Sequence, residues 1–260
     1  GVCPEEPAWQ AMPLLGDGFG LKASNTRFRP ETLYGGWRRS VHLSHFQVVR
    51  GGFVTLPWPQ IAALLLQMVL DRDGGELAGY CMDCYTPADP RRYLGVKAGG
   101  LDLVASGLGR DVEFRLSVRA AAEEAAPGLG EDDFDYSGLS PVPFLFDRAV
   151  LKLDGTALTG IEQFTLRVRN DLAAGPNCGG TVGFLAAGQR AVSLELRKLD
   201  DGDSFNAAVR EGGTLSLEAA FAHPEGHTLN LELPVLHAEQ SVEEALGIAE
   251  RIGYPVLIKA

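Results

Sequence analysis

PFLFDRAVLKLDGTALTGIEQFTLRVRNDL, residues 143–172, decides the reading of this chain. It reads as two short strands around Asp154-Gly155, because Asp-Gly is a dipeptide that closes a tight hairpin turn. The stretch opens a second β-rich half, and the rest of the sequence is tested against that pattern.

From residue 101 onward a two-residue period dominates, the signature of strands with one face buried. Val112, Phe114, Leu116 and Val118 alternate with Glu113, Arg115, Ser117 and Arg119. The alternation recurs in Val192/Leu194/Leu196 against Ser193/Glu195/Arg197, in Leu215/Leu217/Ala219/Phe221, and in Leu229/Leu231/Leu233. Asp201-Gly202, Gly212-Gly213 and Pro224-Glu225-Gly226 supply turns between these runs. Upstream, Val41–Leu56 is strand-like. Pro59–Leu70 follows with strong helix formers after a proline suited to a first turn, so a helix buried against a sheet is predicted there. The fold class is mainly β: a β-sandwich or rolled barrel with one buried helix, plus a short C-terminal helix–strand tail.

Residues 1–35, with Pro4, Pro7, Pro13, Pro30 and the glycines at 16, 18 and 20, read as an irregular N-terminal arm. Residues 36–236 form the β domain, whose halves are joined by the acidic segment 120–140, and 237–260 form a tail. The joining segment, which carries Glu131, Asp132, Asp133 and Asp135, is too long for a hairpin turn. The segment is either a solvated linker or an extension through which these four residues reach a neighbouring subunit.

The 260 residues carry a formal charge of −11, which argues against gripping nucleic acid through phosphates but leaves room for a conduit that DNA passes through. The longest apolar run, Ile61 to Leu66, falls well short of the roughly 20 residues of a membrane span. Glu5 and Glu6 replace any leader-like apolar stretch, so no membrane partner and a cytoplasmic origin are expected.

Chemistry is sparse. There is no G-x-S-x-G elbow, no phosphate-binding G-x-x-x-x-G-K-[ST] loop and no H-E-x-x-H, and Gly16-x-Gly18-x-Gly20 follows no strand. Cys81-Met82-Asp83-Cys84 is a single CxxC without a second pair, and with Cys3 and Cys178 it reads as spare thiols near a turn. His223 and His227 flank a turn and read as surface histidines; His42 and His45 point to opposite sides of a strand, which disfavours joint chelation. No catalytic residue, cofactor or metal is predicted, and the protein is expected not to be an enzyme.

The order of several marks is similar to that of major tail tube proteins of long-tailed bacteriophages. They are the helix after Pro59, Tyr93-Leu94-Gly95 with Gly99–Leu103, and Phe146-Asp147 through Leu153-Asp154-Gly155. Ile161–Phe164, Val168-Arg169-Asn170, Gly188–Leu196, and Leu229–Leu233 with Pro234 complete the set. The resemblance covers roughly residues 30–236. It implies a structural virion protein that assembles with itself into hexameric rings stacked as a tube, contacts other tail proteins, and forms an acidic conduit for DNA ejection. Glu113 and Glu195, on the polar faces of their strands, are then candidates to line the lumen. Another tail component, such as a terminator or baseplate protein, is a close alternative. A monomeric β-sandwich that binds a ligand such as a glycan through Trp37, Trp58 or Tyr80 is a more distant one.

The last residues stand apart. Ser241-Val242-Glu243-Glu244 fits a capping box that opens an amphipathic helix, followed by a short strand at Tyr254–Ile258. VEEALGIAERIGYPVLIKA resembles a helix–strand fragment of ATP-grasp enzymes such as biotin carboxylases, in which the lysine matching Lys259 contacts ATP phosphates. The glycine-rich loop and metal-binding carboxylates of that family have no counterpart here, so no ATP site is expected.

Overall fold

At Asp154-Gly155 the backbone turns as predicted: both residues have positive φ, 48° and 75°, the combination a tight hairpin turn between right-twisted strands requires. The hairpin it closes is short, and its continuation crosses to another sheet. That crossing organises the fold. In this computed structural model, residues 11–15, 19–28, 43–73, 75–106, 111–176, 182–199, 214–237 and 255–259 are described.

The elements in chain order are β1 (Gly20–Phe28), β2 (Leu43–Thr55), α1 (Pro59–Leu70), β3 (Arg72–Asp73), β4 (Glu76–Leu77), β5 (Tyr80–Cys84), β6 (Arg91–Ser106), β7 (Val112–Ala120) and β8 (Ala122–Ala125). They continue with β9 (Ala149–Leu153), β10 (Thr156–Ala157), β11 (Ile161–Arg169), β12 (Leu172–Pro176), β13 (Val182–Ala187), β14 (Ala191–Leu199), β15 (Thr214–Ala222), β16 (Thr228–His237) and β17 (Pro255–Lys259). A large sheet runs β1-β2-β7-β6-β11-β14-β17, with β5 and β8 also paired to β6. A four-stranded sheet runs β10-β9-β15-β16, and β12-β13 and β3-β4 are separate pairs. Among the described residues the sheets are open and antiparallel, so the sandwich alternative holds and a closed barrel does not form.

β9 and β11, separated in the chain only by the two-residue β10, thus lie in different sheets. Their apolar sides meet in the interior, where the Phe164 and Phe221 rings pack edge to face with centroids 6.1 Å apart. Leu103, Phe114, Leu166 and Leu194 from the large sheet join Leu151, Leu217 and Leu231 from the smaller one in a single core. The alternations at Val112–Val118 and Leu215–Phe221 are buried as predicted. Val192 is a correction: it is 41% exposed, although Leu194 and Leu196 further along β14 are buried.

The long strand β6 carries two sets of pairings. Its first part, through Val96, is bonded to β5 and β8; its second, from Lys97, to β7 and β11. Gly95, at φ 60°, makes the change of direction possible, since a side chain there would strain the left-handed backbone. Helix α1 buries Ile61, Ala62, Leu65, Met68 and Val69 and packs against β6. Its C-terminal carbonyls lack intrahelical partners, and residues distant in sequence supply donors. The Arg190 guanidinium donates to the Val69 and Leu70 carbonyls, while the Asn170 amide donates to the carbonyls of Val69 and Ala98. Arg190 also donates to Asn170 Oδ1 at 3.1 Å, so the fully buried Asn170 joins helix, sheet and loop.

Other differences from the sequence reading are local. The arm expected to be irregular contains β1, because every residue from Gly20 to Phe28 finds a partner on β2. The joining segment begins as strand: Ala122–Ala125 pairs with β6 before the chain turns into the acidic loop. The predicted C-terminal helix lies outside the described residues. The strand after it is present as Pro255–Lys259 and pairs with β14.

Candidate functional site

Two charged surfaces emerge from this scaffold. The first is the outer face of the large sheet, where the polar residues of each alternating strand collect. Cross-strand register places Glu113, Val104, Thr165 and Glu195 in one row across β7, β6, β11 and β14. The two lumen candidates therefore share a row, three strand spacings or about 14 Å apart. The adjacent row holds Arg115, Asp102, Arg167 and Ser193.

Neither glutamate is a free charge. Arg115 donates twice to Glu113 Oε2, at 2.9 and 2.7 Å, and Arg167 lies 3.0 Å from Glu195 Oε2. Arg169 pairs with Asp102, and Arg197 with Glu162 at 3.1 Å. With Lys22, Arg50, Lys97 and Arg119 on the same face, cations outnumber carboxylates, although the whole chain is at −11. The acidity of the sequence lies elsewhere.

Part of it is the second surface. Glu131–Asp133 form one 3-10 turn, and Glu131, Asp132, Asp133 and Asp135 are all exposed. The loop is held from within: Gly130 N–H donates to Asp133 Oδ2 at 2.7 Å, and Ser137 N–H to Asp135 Oδ1 at 2.8 Å. Hydrogen bonds from Ser137 keep the Asp135 carboxyl below its ordinary value. Phe134 packs its ring toward Tyr85, with centroids 6.4 Å apart. The loop borders a cleft of about 1400 Å³ whose apolar wall includes Met12, Leu14, Leu65, Met68 and Phe134. Inside it Arg92 holds Asp83 through two bonds of 2.7 Å.

The cysteine reading is corrected here. Residues 81–84 lie on strand β5, and Cys81 and Cys84 are not bonded to each other. Cys81 is disulfide-bonded, and Cys84 is free, half-buried, and has its thiol pushed up by burial. A raised thiol is a poor nucleophile. Cys3, Cys178 and Trp37, like His42, lie outside the described residues, and so does the side chain of His45.

His223 also departs from the surface reading, while His227 is exposed as expected. His223 is 5% exposed, with Nε2 2.8 Å from the Val142 carbonyl and its ring against Phe144. A carbonyl only accepts, so Nε2 carries the proton, and Nδ1 accepts from Glu225 N–H at 3.2 Å. The ring fastens the segment between the halves to the β15–β16 turn. That role, like the seating of α1 by Asn170 and Arg190, escapes a reading of sequence because it depends on tertiary neighbours. Among the described residues no group of His, Cys, Asp and Glu is arranged to hold a metal, and no helix is long and apolar enough to cross a membrane. Trp58 and Tyr80 pack partly against the core and do not form an exposed aromatic platform.

What the site offers is surface: a sheet face laced with ion pairs, an acidic loop with spare charge, and open sheet edges. No curated protein matches the chain. A family model for phage tail tube protein matches residues 74–249, more than half of the chain and a span that runs from β4 through β16 and includes the acidic loop. On that match, the chain belongs to the phage tail tube protein family.

Proposed function

We propose that copies of this chain close into rings, hexameric by family resemblance, which stack into the tail tube through which DNA leaves the virion. The observation that carries the proposal is the family match together with the open sheets: β16, ten residues long, has no strand on its outer side among the described residues. Unpaired edges of this length favour pairing with another chain. Val235 on the same strand is 61% exposed, an apolar contact awaiting cover. Assembly then proceeds in the host cytoplasm with other tail proteins as neighbours. The segments 1–35 and 237–260, whose strands β1 and β17 pair within the large sheet, reach from there to neighbouring subunits or rings in this reading.

The outer face of the large sheet lines the bore in this reading. Glu113 and Glu195 contribute less by repelling DNA than by occupying Arg115 and Arg167, which would otherwise bind phosphates. Negative-stain microscopy of purified protein over a concentration series tests the assembly. Rings or filaments are expected, and a protein that stays monomeric throughout refutes it. Phage carrying Glu113→Gln and Glu195→Gln should build tails of normal length but eject DNA more slowly; failed assembly would count against the bore assignment.

A further inference from the structure

One row on the large sheet has no balance of charge. Lys22 lies opposite Arg50, Arg50 opposite Arg119, and Arg119 opposite Lys97, so four cations stand side by side across β1, β2, β7 and β6. Like charges directly opposite one another destabilise a sheet. The two on β7 and β6 are relieved within the chain. Lys97 reaches Glu76 Oε2 at 2.8 Å and the Leu185 carbonyl at 2.7 Å, and Arg119 donates to the Leu172 carbonyl. Burial, and then the Arg50 charge, hold the Arg119 guanidinium below its ordinary value, while Asp171 acts the other way. Lys22 and Arg50 are exposed, and neither forms an ion pair with a described residue.

The acidic loop shows the opposite imbalance. Its four carboxylates form no ion pair with a described residue, yet its backbone is already fixed by its own hydrogen bonds and by Phe134. A prefolded anionic loop loses little freedom on docking. Among the described residues of one subunit the loop does not pair with the row, which leaves the two complementary patches open to another molecule.

We infer that the cationic row at Lys22 and Arg50 receives the Glu131–Asp135 loop of a second copy of this chain. This rests on the reading that copies associate, and it supplies a contact between two different patches, the head-to-tail kind that propagates or closes a ring. Arg119 and Glu113 are six residues apart on β7, about 20 Å along the strand. The docking row is thus at the far end of the face from the glutamate row, leaving the latter uncovered.

The direct test is zero-length carbodiimide coupling on an equal mixture of unlabelled and ¹⁵N-labelled protein, read by mass spectrometry. Mixed-isotope amide links from the Lys22 amine to Glu131, Asp132, Asp133 or Asp135 are expected. Filaments without such links overturn this contact and leave the tube reading standing. Links without rings or filaments support the contact and sink the tube reading, and monomers without links end both. A charge exchange checks it independently. Lys22→Glu/Arg50→Glu and Asp132→Lys/Asp133→Lys should each raise the concentration needed for assembly about tenfold. An equal mixture of the two should assemble as the wild type does, because each supplies the other's missing partner; failure of the mixture to recover overturns the contact. Should either reversal fail to fold, Lys22→Gln/Arg50→Gln is the control. It should unfold at the same or higher urea concentration yet assemble more weakly, whereas wild-type assembly by it refutes the docking row.

Discussion

Glu113 and Glu195 on the sheet and Glu131–Asp135 on the loop are alike in sequence, acids among polar neighbours, but differ in the folded protein. Each strand glutamate is held by an arginine, one two residues along the same strand and the other across the register from β11. Of the loop acids, Asp133 and Asp135 bond to backbone N–H groups of their own turn, and none of the four meets a described cation. A regular ladder repeats the same spacing along every strand and brings opposite charges together many times over. A short 3-10 turn offers no such repeat. Acidity in the sheet is therefore consumed internally, and acidity in the loop is left for a partner.

The largest way to break this contrast is to remove the sheet beneath it. Phe164→Ala, against Phe221 in the core, should cost about 3–5 kcal/mol in urea unfolding, and a loss below about 1 kcal/mol would mean that the two sheets do not share a core. Next, Asn170→Ala leaves the buried Val69 and Ala98 carbonyls without the amide that serves them. A loss of about 1–3 kcal/mol is expected for each carbonyl left without another donor, with earlier amide exchange at the end of α1. Glu195→Gln sharpens the contrast directly: an exposed pair of this kind contributes at most about 1 kcal/mol, so stability should change little while affinity for a short DNA duplex at low salt rises. Glu131→Gln/Asp132→Asn should shift stability by less than about 0.5 kcal/mol, and a larger loss would show that these two loop acids, like Asp133, are used within the subunit. The smallest signal is chemical. Cys84, its thiol raised by burial, should react with iodoacetamide at pH 8 more slowly than in urea, and equal rates would contradict the half-buried setting.

The elements were legible because each repeats a pattern within a few residues: the period of two at Val112–Val118, the proline-led apolar helix, and the Asp154-Gly155 turn. The family resemblance was legible in the order of such marks, two of which, Asn170 and Arg190, prove to seat the helix. Partnerships were not legible. Arg167 and Glu195 are neighbours only because β11 lies beside β14, and β9 and β11 read as one hairpin region until the chain is seen to change sheets between them. β1 was hidden by the glycines and prolines around it, and its pairing with β2 decides its state more than its composition does. His223 looked like a turn residue because burial is supplied by Ser140–Phe144, some eighty positions earlier.

The seat of α1 bears on the order in which the protein is made. The donors that complete the end of the helix come from Asn170 and Arg190, 101 to 121 positions after the carbonyls they serve. A growing chain that has left the ribosome only as far as β8 carries the helix and its apolar face but none of these donors, nor the β11 neighbour of β6. The N-terminal half therefore waits, with its sheet edge open, until the C-terminal half is synthesised. Stalling translation between residues 125 and 190 should leave a protease-sensitive nascent chain that becomes resistant once the second half emerges.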